Sequence, residues 1–134
     1  MLTNKNIVLG VCGSIAAYKA AELSRLLIKQ HANVKVIMTP DATHFIQPLT
    51  FEAITGNKVA LDNITDYMQH IDLARWADIF LIAPASAATL AKLAHGLCDN
   101  ILTTTCLASN KSIYLAPAMN THMWQHPSTQ HNIQ

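Results

Sequence analysis

The stretch NIVLGVCGSIAAYKAAELSRLLIKQHANVKVIM, residues 6–38, decides the fold class of this chain. It begins with a short apolar run that ends at a glycine, which is typical of a buried strand. Gly13 and Ser14 form a turn, and Ser14 can cap a helix whose apolar stripe extends to Ile28. A second apolar strand follows at 33–38. Strand, tight turn, helix and strand in succession predict a right-handed βαβ unit with parallel strands.

The same alternation continues along the chain. The patterns predict a short helix at 42–47, a helix at 48–56, a short strand at 58–61, a loop at 62–68, a helix at 70–77, a strand at 79–83 that ends at Pro84, a helix at 86–96, a helix at 98–108, a strand at 112–116 that ends at Pro117 and the start of a helix at 128–134. We therefore expect one α/β domain, residues 1–134, built on a parallel, doubly wound sheet.

The composition limits the classes of function. Of 134 residues, 51% are hydrophobic and 13% are charged, whereas roughly a quarter of residues are usually charged, so buried oligomer surface or a piece of a longer protein is expected. A net charge of +1 without a Lys/Arg run gives no reason to expect nucleic acid or an acidic membrane as a partner. No apolar stretch reaches the ~18 residues of a membrane span. Three cysteines without a CxxC motif favour a reducing compartment, the cytoplasm.

Small polar side chains follow four predicted strands. They are Ser14, Thr39, the pair Ser86 and Thr89, and Asn120. Each alone can be explained as a helix cap. Together, at one edge of a parallel sheet, they predict a polar crevice for a flat, phosphorylated cofactor. NAD and ATP are not indicated, because the GxGxxG and GxxxxGK[ST] motifs are absent.

Two further residues have both a functional and a structural interpretation. Asn120 lies among Met119, Met123 and Trp124, and a single amide in an apolar loop suits a carboxylate; alternatively, it caps the next helix. His70 begins a helix, where the dipole disfavours the imidazolium form and thus favours a general base; alternatively, it is a surface cap.

Metal and hydrolase functions have little support in the sequence. Neither His95 with Cys98 nor His122 with His126 completes a zinc ligand set, and the HExxH motif is absent. A serine hydrolase would need a GxSxG elbow, which is also absent.

Five motifs together resemble one family. They are GSIAAYK at 13–19, HIDLARWAD at 70–78, APASAATLAK at 83–92, GLCDN at 96–100 and PAMNTHMW at 117–124. In content and order they resemble the homo-oligomeric, flavin-containing cysteine decarboxylases, and most of all the phosphopantothenoylcysteine decarboxylase domain of the bifunctional coenzyme A biosynthesis proteins. The resemblance implies a three-layer α/β/α, Rossmann-like flavoprotein fold with a mostly parallel sheet.

The resemblance also implies a cofactor, a reaction and an assembly. FMN is expected to oxidise a cysteinyl thiol before CO2 is lost and then to reduce the enethiol, giving 4′-phosphopantetheine. His70 corresponds to the active-site base, and Asn120 with Met119 to the substrate-binding residues. A homo-trimer or a dodecamer is expected. The expected FMN contacts are Gly13, Ser14, Ile15, Thr39, Ser86, Ala87, Ala88, Thr89 and Ala118.

Two departures from the family pattern qualify these expectations. Ala88 stands where the family has an Asn that contacts the flavin. The family's proton-donating Cys lies in a flap downstream of Gln134, so we expect a truncated chain without the flap or a ligase domain. The alternatives are a peptidyl-cysteine decarboxylase, which stops at the enethiol and needs no flap Cys, and a non-catalytic, flavin-binding regulatory module.

Overall fold

A computed structural model describes residues 2–62 and 68–134 of the protein. In these residues, four parallel strands form one sheet in the order β2-β1-β3-β4. The neighbours of β1 are thus β2 on one side and β3 on the other, so the chain changes winding direction at β1. Open α/β sheets hold ligands outside the carboxyl ends of the strands at this switch point. The strands are β1 (Asn6–Val11), β2 (Asn33–Met38), β3 (Ile79–Ala85) and β4 (Ile113–Pro117).

Helices cover both faces of the sheet. The described residues include α1 (Lys19–Lys29), α2 (Pro48–Thr55), α3 (Gln69–Trp76), α4 (Ala87–His95), α5 (Ile101–Leu107), α6 (Thr121–Gln125) and α7 (Pro127–Asn132). Successive strand residues point to opposite faces. Leu9 joins a core with Leu27 of α1 and Phe51 of α2. Val8 joins a second core with Leu73, Leu90 and Leu102 of α3, α4 and α5. This arrangement confirms the predicted three-layer α/β/α fold.

The turn after β1 has the predicted cap. Ser14 Oγ accepts a hydrogen bond of 3.0 Å from the Ala16 N–H, and a 3-10 turn over Ile15–Tyr18 leads into α1. The predicted helix at 48–56 is also confirmed as α2. It ends at Gly56, which has a φ of 74°. Cap residues in the sequence therefore located both elements correctly.

The prediction that Pro84 ends its strand was wrong. β3 continues to Ala85 through a cis Ala83–Pro84 peptide bond and an irregularity in register. Proline lacks an N–H, but its carbonyl still pairs, and here it accepts from the Cys12 N–H at 3.2 Å. Pro117 is likewise the last residue of β4, an edge strand, and pairs with Ala85.

Other boundaries also differ from the predictions. The strand predicted at 58–61 is reduced to one bridge between Ile37 and Ala60. The helix predicted at 42–47 is a 3-10 turn over Asp41–His44. The helix predicted from Cys98 begins at Ile101, because Asn100 caps it by accepting from the Thr103 N–H at 2.9 Å. Most of the loop predicted at 62–68 lies outside the described residues.

Within 2–62 and 68–134, no helix is both long enough and apolar enough to cross a bilayer.

Candidate functional site

A polar cavity of about 200 Å³ lies at the carboxyl ends of β1, β2 and β3. It brings together five residues that the sequence assigned to cofactor binding: Gly13, Thr39, Ser86, Ala88 and Thr89. The turns after three of the four strands thus meet at one edge, as the sequence predicted, whereas the turn after β4 with Asn120 does not line this cavity. The other lining residues are Pro40, Asp41, Asp62, Lys92, Asp99 and Asn100.

The N-terminus of α4 forms one wall of the polar cavity. Ser86 caps this helix, because its Oγ accepts from the Thr89 N–H at 3.2 Å. The Thr89 hydroxyl is buried and lies 3.2 Å from Ser86 Oγ and 3.2 Å from Cys12 Sγ. A helix N-terminus offers free N–H groups and the positive end of the helix dipole, so this wall suits an anion.

Close packing of the turns after β1 and β2 forms another part of the wall. The Thr39 N–H donates to the Val11 carbonyl at 3.1 Å, which ties the turn after β2 to the end of β1. A Cβ atom at Gly13 would lie only 2.4 Å from Asp41 Cβ. Carbon atoms in contact are normally separated by about 3.5–4.0 Å. The absence of a side chain at Gly13 therefore allows the turns after β1 and β2 to pack against each other.

The charges of the polar cavity do not by themselves favour an anion. Lys92 Nζ lies 3.1 Å from Asp99 Oδ2 in a partly exposed ion pair. Asp62 Oδ1 accepts from the Ile101 N–H at 2.6 Å, at the start of α5. Asp41 is exposed. The cavity thus has three carboxylates and one ammonium group, and hydroxyl and backbone N–H donors must supply much of the attraction for any anion.

A second, apolar cavity of about 300 Å³ lies beside the ends of β3 and β4, next to α1. Ala118 is one of its walls, and its N–H donates to the Ala85 carbonyl at 3.0 Å. Small side chains keep the cavity open, and Lys19 is its charged residue. The other lining residues are Ala16, Ala20, Leu23, Ala83, Pro84, Ala116 and Pro117.

Asn120 serves as the cap of α6. Its Oδ1 accepts from the Met123 N–H at 2.9 Å, so the structural alternative for this residue is confirmed. The side chain is exposed, and among the described residues its amide N–H groups have no acceptor. Capping uses the oxygen and leaves the donors available. Met119, the other predicted substrate-binding residue, is half-buried against the core that contains Leu90.

Several predicted site residues line neither cavity. Ser14 caps the 3-10 turn, Ile15 beside it is 84% exposed, and Ala87 is half-buried in the first turn of α4. His70 is half-buried near the start of α3. The single chain therefore does not bring His70 or Asn120 into the polar cavity, and their roles stay predictions. In the described ranges, no three His, Cys, Asp or Glu side chains form a group that could hold a metal ion.

Comparison with known proteins places the chain in a family. A family model described as "Flavoprotein" matches residues 1–134. The chain belongs to this flavoprotein family. It is 47% identical to the coenzyme A biosynthesis bifunctional protein CoaBC of Bacillus subtilis, over 99% of this chain and 34% of that protein. It therefore spans about a third of the length of that relative.

Two further comparisons concern shorter proteins. The flavoprotein chain is 50% identical to a probable phosphopantothenoylcysteine decarboxylase of Streptococcus mutans, over 96% of the chain and 75% of that protein. Its structure is similar to the crystal structure of SpaF, described as an FMN-dependent cysteine decarboxylase. The TM-score is 0.92 at 34% identity, over 99% of this chain and 79% of SpaF.

Sequence reasoning missed several residues of this flavoprotein's polar cavity. Asp99 lies within the GLCDN motif and Asp41 lies two residues after Thr39, so their positions gave a usable signal. Lys92 ends the APASAATLAK motif but was given no role. No pattern in the sequence marks Asp62 as a site residue, because only the fold brings it to the start of α5. Cys12 does not line the cavity but lies behind Thr89, and nothing in the sequence shows that its thiol contacts that residue.

Proposed function

We propose that this flavoprotein binds FMN at the carboxyl edge of its sheet and decarboxylates 4′-phosphopantothenoylcysteine, giving 4′-phosphopantetheine for coenzyme A biosynthesis. The observation that carries the proposal is the polar cavity, which gathers Gly13, Thr39, Ser86, Ala88 and Thr89 from three separate turns. The similarity to decarboxylases over nearly the whole chain supports the same conclusion.

The residues at this edge fit FMN. FMN has a phosphate and a hydroxylated chain at one end and a flat, largely apolar ring system at the other. The polar cavity offers hydroxyl groups and the N-terminus of α4 for the phosphate end. The apolar cavity, with Ala118 in its wall, offers small side chains for a flat group. We assign Ser14, Ile15 and Ala87 to the same cofactor, because they immediately adjoin the lining residues.

The chemistry needs an electron acceptor. Direct loss of CO2 from the cysteinyl carboxylate would leave a carbanion whose charge cannot be delocalised. When bound, FMN would supply two-electron chemistry, namely oxidation of the cysteinyl CH2–SH group to a thioaldehyde and, after loss of CO2, return of the two electrons to the enethiol. The carboxylate of the thioaldehyde is β to a C=S group, so the electron pair of the breaking C–C bond is delocalised onto sulfur.

Two residues of the chain act on the substrate in this proposal. His70, in the first turn of α3, accepts a proton as the thiol is oxidised. Asn120 uses its amide N–H groups to bind and orient the carboxylate, while its Oδ1 remains on the Met123 N–H. Met119 provides apolar contact beside Asn120.

We also propose that residues 1–134 act as one domain, in the cytoplasm, within a homo-trimer or dodecamer. Large exposed apolar side chains support an assembly: Ile15 is 84% exposed, Tyr18 64% and Leu49 70%. His70 lies outside both cavities of its own chain, and an assembly would allow another copy to supply it. Light scattering of the FMN-loaded protein at several concentrations tests this. A monomer at all concentrations would contradict it.

The reaction is tested directly by anaerobic mixing of the FMN-loaded protein with 4′-phosphopantothenoylcysteine. We expect substrate-dependent CO2 release and transient bleaching of the flavin absorbance. A C-terminal cysteine peptide is the comparison substrate. CO2 from the peptide alone would replace the proposal with a peptidyl-cysteine decarboxylase. A yellow protein that neither substrate bleaches would indicate a non-catalytic flavin-binding module.

A further inference from the structure

A chain of three polar side chains lies under the polar cavity. Cys12, the first residue after β1, is fully buried, and its thiol donates to Thr89 Oγ1 at 3.2 Å. The Ser86 hydroxyl also contacts Thr89 Oγ1 at 3.2 Å. Thr89 is 4% exposed, and both Thr89 and Ser86 line the cavity. The thiol thus lies on the core side of two hydroxyls that face the site.

The three hydrogen-bonded side chains have one more donor hydrogen than they have contacts with one another. The thiol and the two hydroxyls carry three hydrogens, but only two contacts join them. Ser86 Oγ is already an acceptor for the Thr89 N–H. Thr89 Oγ1 receives both the thiol and the Ser86 hydroxyl, so its own hydrogen has no acceptor among the described residues. A buried hydroxyl that accepts twice and lines a cavity is a donor for something that enters it.

We propose that Cys12 is a positioning residue for the phosphate of the cofactor: its thiol holds and polarises the Thr89 hydroxyl as a donor to that phosphate. This inference rests on the proposed function, since it takes the ligand of the polar cavity to be FMN. The cavity has three carboxylates and one ammonium group, Lys92, which is paired with Asp99. Since positive charge contributes little here, hydroxyl donors contribute a larger share of phosphate binding than they would in a basic site.

The experiment compares FMN with riboflavin, which lacks the phosphate, in titrations of apo-protein followed by flavin fluorescence. For Cys12→Ala we expect FMN affinity to fall by roughly three- to tenfold, the range of one hydrogen bond, and riboflavin affinity to stay unchanged. Cys12→Ser keeps a donor and restores most of the FMN affinity. If removal of the thiol only left a void that loosened the fold, the affinities for FMN and riboflavin would fall alike, and the proposal would be overturned.

Cys106→Ala is the matched control. Cys106 is also buried, and its thiol is a member of the same core. Its substitution removes a buried thiol without touching Thr89, so the ratio of FMN to riboflavin affinity should stay at the wild-type value. In infrared spectra, loss of the hydrogen-bonded S–H band in Cys12→Ala but not in Cys106→Ala would confirm which thiol donates.

Failure of this inference differs from failure of the proposed function. If wild-type protein does not bind FMN, the proposed function fails. If wild-type protein binds FMN and Cys12→Ala leaves the FMN-to-riboflavin affinity ratio unchanged, the positioning role alone is overturned.

Discussion

A Gly13→Ala substitution perturbs the site at its most tightly packed point. The new Cβ would lie 2.4 Å from Asp41 Cβ and 3.1 Å from the Asp41 carbonyl carbon. It is thus roughly 1 Å short of an ordinary carbon contact of about 3.5 Å, and backbone is part of the obstacle. The turns after β1 and β2 must separate, which stretches the 3.1 Å hydrogen bond from the Thr39 N–H to the Val11 carbonyl.

The cost can be estimated from these contacts. Overpacking costs about 1–3 kcal/mol of unfolding free energy, and the lower entropy of the unfolded alanine chain returns about 0.4–1 kcal/mol. Moving the turn also misplaces the donors of the polar cavity. Two weakened hydrogen bonds, at about 1 kcal/mol each, correspond to a loss of FMN affinity of roughly tenfold or more.

Gly10→Ala is the matched control for the glycine substitution. Its Cβ would lie 2.6 Å from Leu102 Cδ1, in the core and away from the cavity. It should also lower the unfolding free energy, but by less than Gly13→Ala, because it meets methyl groups at the end of the Leu102 side chain and no backbone, and it should leave FMN affinity within about twofold. Denaturant unfolding and fluorescence titration measure the two quantities. Wild-type FMN affinity in Gly13→Ala, or equal loss in both variants, would refute the reasoning.

Three other predictions concern charge and capping. Asn120→Asp keeps an oxygen that caps α6 but replaces the amide donors with a negative charge, so decarboxylation should be abolished while FMN binding and stability stay nearly unchanged. Loss of FMN binding in a cofactor titration would mean that Asn120 contacts the cofactor instead. Asp41→Asn removes an exposed carboxylate from the polar cavity, so FMN affinity should rise roughly two- to fivefold at low salt while riboflavin affinity stays constant; an equal change for both ligands would contradict this. Burial, together with the nearby Cys12, raises the pKa of the Cys106 thiol from 9.0 to about 12. Between these values the thiol ionises in the unfolded chain but not in the folded one, so the contribution of Cys106 to stability is complete below about pH 9 and is lost as the pH rises towards 12. Melting temperatures of Cys106→Ala should therefore fall less steeply with pH than those of the wild type, and an identical fall would contradict the raised pKa.

Much of the fold was predictable because local signals agree with it. Short apolar runs specify β1 and β2, an apolar stripe and the Ser14 cap specify α1, and the Gly56 and Gly96 ends specify α2 and α4. The errors arose where tertiary pairing overrides local chemistry. Pro84 stays in β3 because its carbonyl, rather than its missing N–H, is the group that pairs.

The site was predictable only in part, for a related reason. The rule that parallel strands end at one edge correctly grouped Thr39, Ser86 and Thr89, but it also placed Ser14 and Asn120 there, and neither lines the polar cavity. It could not show that Asp62, from a distant part of the sequence, accepts a hydrogen bond from the Ile101 N–H at the start of α5 and lines the same cavity. Nor could it show whether His70 reaches that edge within one chain, because this depends on packing that sequence pattern does not encode.

The central claim is that the polar and apolar cavities at this edge hold FMN. The most direct measurement is an equilibrium titration of apo-protein with FMN, followed by flavin fluorescence and visible absorbance. We predict saturable, equimolar binding that Gly13→Ala weakens and Gly10→Ala does not. A colourless protein that takes up no FMN, or binding that both variants leave intact, would contradict the account.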